Sequence, residues 1–301
     1  MRPEIRIMFW GHHVPGEAQA ILGPAGIGPD AAVVDDYTMV GKRQVWVSVT
    51  LAEDDERVPR LFELLRKHNE TWLEVHEDRY TDDELDNARL LLMHPNRECE
   101  IDGGIWCGTT YDWSEACPAC GTPARQTSAM FIEGEEIPKL EGHRAGATLV
   151  ELPLVDERLA EALEESGATG LYFRSVYAVM EDRRQVKLRW KQLCAKRSLP
   201  PMSPLTTGLG RYHECEVCMR NGYGRTSEAP TRIVYRASDL ADADDVNMTW
   251  EHYNEAALKP DMRDTHLSYP YILVTPKVMR IFRAAGVTEF DWIPIRVVDD
   301  A

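Results

Sequence analysis

Two cysteine pairs with the spacing of metal ligands stand far apart in the sequence, Cys117 with Cys120 and Cys215 with Cys218. Gly121 follows the first pair and permits a tight turn that points both thiolates at one spot and leaves backbone amides facing the sulfurs. Two such pairs supply the four thiolates of a tetrahedral structural zinc site, which leaves no position open for a substrate. We therefore expect these four cysteines to bind one structural zinc ion.

The 94 residues between the two pairs are more than a zinc ribbon has, so other chemistries must be weighed. His213 could replace a cysteine as a ligand, although a surface histidine is the simpler interpretation. A thioredoxin-like redox pair needs its first cysteine at a helix start, whereas Gly121-Thr-Pro123 follows the first pair here. A zinc deaminase needs His-x-Glu before Pro-Cys-x-x-Cys; His68-Asn-Glu70 imitates the first part, but Ala116 replaces the proline. A disulfide or an empty thiol pair would fit an exported chain, and no export signal supports it.

Few other residues suggest chemistry. Cys99, Cys107 and Cys194 are scattered, and we expect them to be small buried hydrophobic residues without a role. His12 and His13 follow the first predicted strand and could serve an enzyme together with His76, but no carboxylate or cysteine motif completes a site near them. The sequence contains no P-loop, dinucleotide fingerprint, nucleophile elbow or metalloprotease helix. The aromatic residues before the first cysteine pair are interpreted as core, namely Trp106, Tyr111 and Trp113.

Charge and hydropathy restrict the possible partners. The chain has 301 residues and a net charge of −16, with acidic concentrations at 53–56 and 239–245. This charge disfavours nucleic acids and anionic membranes and fits a basic protein partner. The basic run 183–191 alternates as a strand with one solvated face would, so a nucleic-acid-binding zinc protein is the weaker alternative. No segment has the roughly 18–20 apolar residues of a membrane span or the core of a signal peptide, and we expect a soluble cytoplasmic protein.

The first 95 residues predict a small α/β domain. Apolar residues alternate around Ile7 and Val47 as in half-buried strands, and they recur at helical spacing from Val58 to Leu65. A short strand is expected through Leu73 and Val75. Thr81-Asp-Asp-Glu84 forms a capping box, which predicts a further helix through Leu85, Ala88 and Leu92 that ends at Pro95. The loop from Gly23 to Lys42 is too rich in glycine and proline to assign.

Residues 96–301 contain an internal repeat. The segment that begins at Leu154 aligns without gaps on the one that begins at Leu273, 119 residues later. Each copy predicts an N-cap at Asp156 or Thr275, an amphipathic helix, a left-handed glycine at Gly167 or Gly286, and an aromatic strand. Each is preceded by its own cysteine pair, and the two pairs are 98 residues apart. We therefore expect an α+β protein in which an N-terminal α/β unit (1–95) precedes a duplicated zinc-knuckle and helix-strand lobe (about 105–180 and 205–298).

The chain resembles the bacterial double-CXXCG proteins, a paralogous group best represented in myxobacteria. The resemblance covers about the C-terminal two thirds and rests on Trp106–Asp112 leading into Cys117-Pro-Ala-Cys-Gly121, on Cys215–Cys218, and on Val274–Lys277 leading to Trp292–Ile295. Met219 stands where the second motif of the group has glycine. The resemblance implies an immunity protein that neutralises a cognate toxin of a polymorphic toxin system, and the acidic net charge fits a basic toxin. We therefore expect a non-enzymatic, zinc-stabilised binding protein, with an enzyme in the N-terminal unit as the alternative.

Overall fold

The computed structural model describes residues 1–10, 15–28, 30–39, 42–96, 98–212, 214–253 and 267–300. The chain is of mixed α+β type and divides into two compact units. The first contains Met1–Thr81 and Arg225–Thr231, and the second contains Asp82–Gly224 and Arg232–Ala301.

The first unit is a four-stranded antiparallel sheet with two helices. Its elements are β1 (Arg2–Trp10), α1 (Pro15–Ala25), β2 (Ala32–Met39), β3 (Lys42–Ala52), α2 (Arg57–Lys67) and β4 (Trp72–Arg79). The strand order is β2-β3-β1-β4, which is the ferredoxin-like β-α-β-β-α-β arrangement. Alternate residues such as Ile7 and Val47 point into a core that also contains Leu22 of α1 and Leu61 of α2. The alternation that predicted β1 and β3 therefore marks the face that the helices cover.

The sequence leaves one segment near this unit unassigned, and its interpretation of a second segment is wrong. The unassigned loop from Gly23 to Lys42 contains the end of α1 and all of β2. The helix predicted from the capping box, α3, spans only Asp82–Asp86, and the chain then enters β5 (Leu91–Pro95) in the second unit. All side chains in the run from Leu90 to Met93 are buried. This is typical of a strand covered on both faces, whereas a surface helix would expose about half of its side chains. The expected domain end at 95 thus falls inside the larger unit.

The second unit is built on two six-stranded sheets, of order β6-β10-β11-β13-β12-β9 and β14-β15-β17-β18-β5-β19, with the small pairs β7-β8 and β16-β20. Its remaining strands are β6 (Glu100–Ile101), β7 (Tyr111–Asp112), β8 (Arg125–Gln126), β9 (Met130–Glu133), β10 (Ala145–Thr148), β11 (Pro153–Asp156), β12 (Leu171–Val179), β13 (Gln185–Ala195), β14 (Leu209–Arg211), β15 (Tyr223–Arg225), β16 (Val234–Arg236), β17 (Val246–Tyr253), β18 (Tyr269–Val274), β19 (Phe290–Pro294) and β20 (Arg296–Val298). Its longer helices are α4 (Glu157–Glu165) and α5 (Pro276–Ala284).

The two longer helices have similar surroundings. Helix α4 connects β11 to β12 with the antiparallel strand β13 between them, and α5 connects β18 to β19 with β5 between them. Both helices end at a glycine with positive φ, 66° at Gly167 and 77° at Gly286, as predicted. Leu159 and Leu163 of α4 and Val278 and Phe282 of α5 are buried. The prediction of amphipathic helices that lie between strands and end at a glycine is therefore correct in both places. The predicted side-chain N-cap forms at Asp156 but not at Thr275, whose hydroxyl donates to Asp245 instead.

Candidate metal centre

The first cysteine pair lies in a turn between the antiparallel strands β7 and β8. The Gly121 amide donates to the Cys117 carbonyl at 2.7 Å, and the Cys117 amide donates to the Thr122 carbonyl at 3.0 Å. Gly121 has a φ of 76°, a left-handed conformation that a residue without Cβ adopts at little cost. The turn thus places both sulfurs on one side, as the sequence predicted.

The second pair lies in an equivalent turn between the neighbouring strands β14 and β15. The Met219 amide donates to the Cys215 carbonyl at 2.9 Å. The Cys215 amide donates to the side-chain oxygen of the fully buried Asn221 at 2.8 Å. Met219 has a φ of 57°, so methionine adopts here the conformation that Gly121 has in the first turn.

Gly222 allows the chain to close this second turn. A Cβ at Gly222 would lie 2.4 Å from the Tyr212 carbonyl oxygen, and its φ is 82°. The Tyr212 amide donates to the Gly222 carbonyl, which pairs β14 with β15 across the turn. Sequence reasoning missed the roles of Asn221 and Gly222. An asparagine and a glycine, which are turn-forming residues, follow the second cysteine pair after two intervening residues, and they were the available signal.

The four thiols converge although the pairs are far apart in sequence. The sulfurs of Cys117 and Cys215 are 3.9 Å apart, and those of Cys120 and Cys218 are 3.5 Å apart. All four sulfurs lie within 4.8 Å of one another, and none forms a disulfide. Four sulfurs at about 2.3 Å from a tetrahedral ion would be separated by about 3.8 Å. The cluster therefore has the composition and spacing of a metal site.

The pKa shifts of the thiols are also consistent with a cation bound between them. Burial alone would raise the pKa of Cys117, but the backbone amides of Cys120 and Ala119 face its sulfur and bring the pKa below its ordinary value. Burial raises the pKa of Cys120 and of Cys218. Four negative sulfurs in so small a volume repel one another, so the cluster can ionise completely only around a positive ion.

The residues that competed for a role in the metal site have different positions. His213, His12 and His13 lie outside the described residues. His68 is the C-terminal cap of α2. Within the described ranges, the only cluster of cysteine, histidine and acidic side chains arranged to hold a metal is the one formed by the four predicted cysteines. Residues 117–121 form a turn and not a helix start, as the argument against a thioredoxin-like pair required.

The remaining candidates for chemistry are bonded within the fold or buried. His76 lies on β4, where its Nδ1 is 2.6 Å from Glu53, and both side chains are partly exposed. Cys99, Cys107 and Cys194 are buried as expected. Burial raises the pKa of Cys99 to about 11, of Cys107 to about 12 and of Cys194 to about 11, so they remain thiols near neutral pH and are poor nucleophiles.

Two further expectations have mixed outcomes. Residues 185–191 of the basic run lie in β13, where Lys187 and Arg189 are exposed on one face, and Arg189 is 3.0 Å from Glu157. This confirms a strand with a solvated basic face. Tyr111 and Trp113 pack against a core cluster of the second unit, but Trp106 is 67% exposed, so its interpretation as core is wrong.

No family of known proteins and no curated sequence matches the chain. Among the described helices, the longest has 11 residues and none could cross a membrane.

Proposed function

We propose that Cys117, Cys120, Cys215 and Cys218 bind one structural zinc ion. The observation that carries this proposal is the convergence of four thiols from two distant turns at tetrahedral spacing. Zinc fits four thiolates, and such a closed site stabilises a fold and does not catalyse. Iron also accepts four thiolates, and the experiment below distinguishes the two metals.

We further propose that the zinc joins two copies of one duplicated unit. In support, each cysteine turn lies between two short strands, and each is followed along the chain by a strand-helix-strand segment. In each segment the two strands flank an antiparallel third strand, β13 for the first and β5 for the second. A duplication explains why the segment that begins at Leu273 repeats the cap, helix and glycine sequence pattern of the segment that begins at Leu154.

The function that we propose is that of an immunity protein, which binds and neutralises a cognate basic toxin. Three features support it: the closed thiol cluster, the net charge of −16, and the resemblance of both cysteine motifs to the double-CXXCG proteins. The buried cysteines outside the cluster supply no thiolate nucleophile, and His76 is bonded to a surface glutamate. Binding is therefore better supported than catalysis.

The zinc proposal is tested by the metal content of the purified protein. We expect one zinc per chain and no visible absorbance, and we expect Cys218→Ser to lose the zinc. Cys107→Ala is the matched control, because Cys107 is a buried cysteine outside the cluster and its loss should leave zinc at one per chain. Bound iron with a coloured spectrum would contradict the proposal. So would a metal-free protein that is as stable as the metal-loaded one.

The immunity proposal is tested separately with the product of the neighbouring gene. We expect that protein to arrest growth when produced alone and to be harmless when produced with this chain. Binding of the two purified proteins should weaken steeply with salt, because opposite charges attract across the interface. A neighbouring gene that encodes a metabolic enzyme, or a growth arrest that this chain does not relieve, would refute the proposal and leave the zinc site untouched.

A further inference from the structure

A cavity of about 510 Å³ lies in the second unit. Strands β11, β12 and β13 of one sheet and β17 and β18 of the other line it. Ala124 and Arg220, which follow the two cysteine turns, complete its wall. Cavities of about 300–1,000 Å³ with mainly apolar walls and a few polar groups are the usual binding sites of small molecules.

Two guanidinium groups face this cavity without a carboxylate partner among the described residues. Arg174 donates to the backbone carbonyls of Gln126 at 2.7 Å and of Ser128 at 3.1 Å, and its buried Nε has no acceptor in the part of the chain that the structure describes. Arg220 donates to the Trp250 carbonyl at 2.7 Å and to the Ser198 hydroxyl at 3.4 Å. Since a guanidinium has five N–H donors, both arginines keep donors for a further acceptor.

Both arginines are held in place before any ligand arrives. The Arg174 guanidinium lies 5.4 Å from the Tyr172 ring centroid, and that of Arg220 lies 5.5 Å from the Trp250 ring centroid. Stacking and backbone hydrogen bonds fix a planar group that can meet an anion in one orientation. Pre-ordered donors lose little conformational entropy on binding, which favours affinity.

The other titratable groups of the wall leave the cavity positive. Asp112 is paired with Arg125 at 2.9 Å, and Glu115 is exposed. Burial lowers the pKa of His252 to about 3, so its ring is neutral near neutral pH. Burial raises the pKa of Tyr111 to about 12, so its hydroxyl stays protonated and can donate a hydrogen bond. In the wall itself one exposed glutamate opposes two partly buried arginines. Behind the wall, Glu251 and Cys218 interact electrostatically with Arg220, and burial raises the pKa of Glu251, which favours its neutral form.

We propose that this cavity binds a small organic anion with an apolar body, whose charged group is held by Arg174 and Arg220. Apolar side chains from both sheets, such as Leu193, Met248 and Ile272, would cover the body of the ligand. Cys194 also lines the cavity, and burial raises the pKa of its thiol to about 11, so it offers no thiolate nucleophile there near neutral pH.

The test compares two probes of almost the same shape. The first is 8-anilinonaphthalene-1-sulfonate, an aromatic anion, and the second is N-phenyl-1-naphthylamine, which lacks the sulfonate. With the intact, metal-loaded chain we expect one site for the anion and clearly weaker binding of the neutral probe. Arg174→Gln should weaken the anion about tenfold, because a hydrogen bond to a charged group is lost, and should leave the neutral probe unchanged.

Two further variants make the result decisive. Arg184→Gln removes an arginine whose side chain is 69% exposed and does not line this cavity, so it should bind both probes like the unaltered protein. Met248→Trp fills the cavity and should abolish binding of both probes. If Arg174→Gln fails to fold, this variant still tests whether the probes bind in the cavity. Equal affinity for the two probes, unchanged binding of the anion to Arg174→Gln, or unchanged binding to Met248→Trp would overturn the proposal.

Discussion

Met219 is a methionine in a glycine conformation, with a φ of 57° next to a cysteine of the cluster. Side chains with a Cβ lose roughly 1–2 kcal/mol in this region. Met219 is 39% exposed, so its side chain is not part of a buried core. The second cysteine turn is therefore strained where the first, with Gly121, is relaxed.

We expect Met219→Gly to stabilise the metal-loaded protein by about 1 kcal/mol, because it removes this backbone strain. The measurement is the free energy of unfolding in urea at saturating zinc. Gly121→Met is the matched reverse change in the first turn and should destabilise the protein by a similar amount. A loss of stability in Met219→Gly would show that the methionine side chain makes contacts that outweigh the strain.

His252 should make the stability of the protein depend on pH. It is buried on β17, its Nδ1–H donates to the Ser268 carbonyl at 3.1 Å, and burial lowers its pKa from 6.5 to about 3. The unfolded chain therefore takes up a proton near pH 6.5 that the folded chain refuses until about pH 3, so stability falls as the pH drops through this window. From about pH 7 to about pH 5.5 we expect a loss of about 1 kcal/mol from this group.

The measurement is urea unfolding of the protein and of His252→Gln at both pH values, with saturating zinc. The variant is less stable at neutral pH but should lack this part of the pH slope. His68→Gln changes an exposed histidine and should keep the slope of the unaltered protein. An equal slope in all three proteins would show that His252 is protonated in the fold.

At the level of elements, the two predicted helix caps have different outcomes. Asp156 caps α4, since its side chain accepts the Leu159 amide at 2.6 Å. Thr275 does not cap α5; its hydroxyl donates to Asp245 at 2.7 Å instead. The same carboxylate accepts the Thr169 amide at 2.9 Å. Asp245 thus joins the end of the α4 segment to the start of α5, which the local pattern around Thr275 could not indicate.

We expect Asp245→Ala to destabilise the protein by about 2 kcal/mol, because hydrogen bonds to a charged group are lost at two elements. Asp156→Ala should cost about 1 kcal/mol, the usual value of an N-cap. Asp242→Ala is the control, since Asp242 is exposed and its side chain makes no hydrogen bond that the described structure records. Thermal unfolding of the three variants checks the order, and equal effects of Asp245→Ala and Asp242→Ala would contradict it.

The sequence predicted the elements whose type and ends are determined by residues close together in the chain. Alternation marked β1 and β3, and glycines marked the ends of α4 and α5. The four cysteines could be chosen because their residue type and spacing identify metal ligands without knowledge of the fold. Strand β5 could not be predicted, because an apolar run such as Leu90–Met93 suits a buried helix or a strand equally, and its partners β18 and β19 come about 180 residues later.

At the scale of the whole molecule, part of the negative charge is neutralised by ion pairs within the protein. In the acidic concentration at 53–56, Glu53 pairs with His76 and Asp55 pairs with Arg57. In the acidic concentration at 239–245, Asp244 pairs with Arg197 and Asp245 pairs with Lys277. The charge that a partner would meet is therefore spread over the remaining exposed carboxylates, and the two acidic concentrations are poor guides to a docking face.

All four cysteines belong to the second unit, and this predicts a local effect of metal removal. Strands β7, β8, β14 and β15 have only two or three residues each, β7 and β8 form a sheet of two strands, and β14 is the edge strand of its sheet, so we expect the cluster to stabilise them. The first unit has its own core around Ile7, Val47 and Leu61. A chelator should therefore increase amide hydrogen exchange at 105–126 and 209–224 and leave β1 and β3 protected.

The measurement is hydrogen exchange followed by mass spectrometry, with and without chelator, and readdition of zinc should restore the protection. Cys107→Ala should show the same response, because its cysteine lies outside the cluster. Unchanged protection at both cysteine turns would mean that the thiols hold no structural metal. Loss of protection throughout β1 and β3 would mean that the first unit depends on the metal as well, and that the two units unfold together.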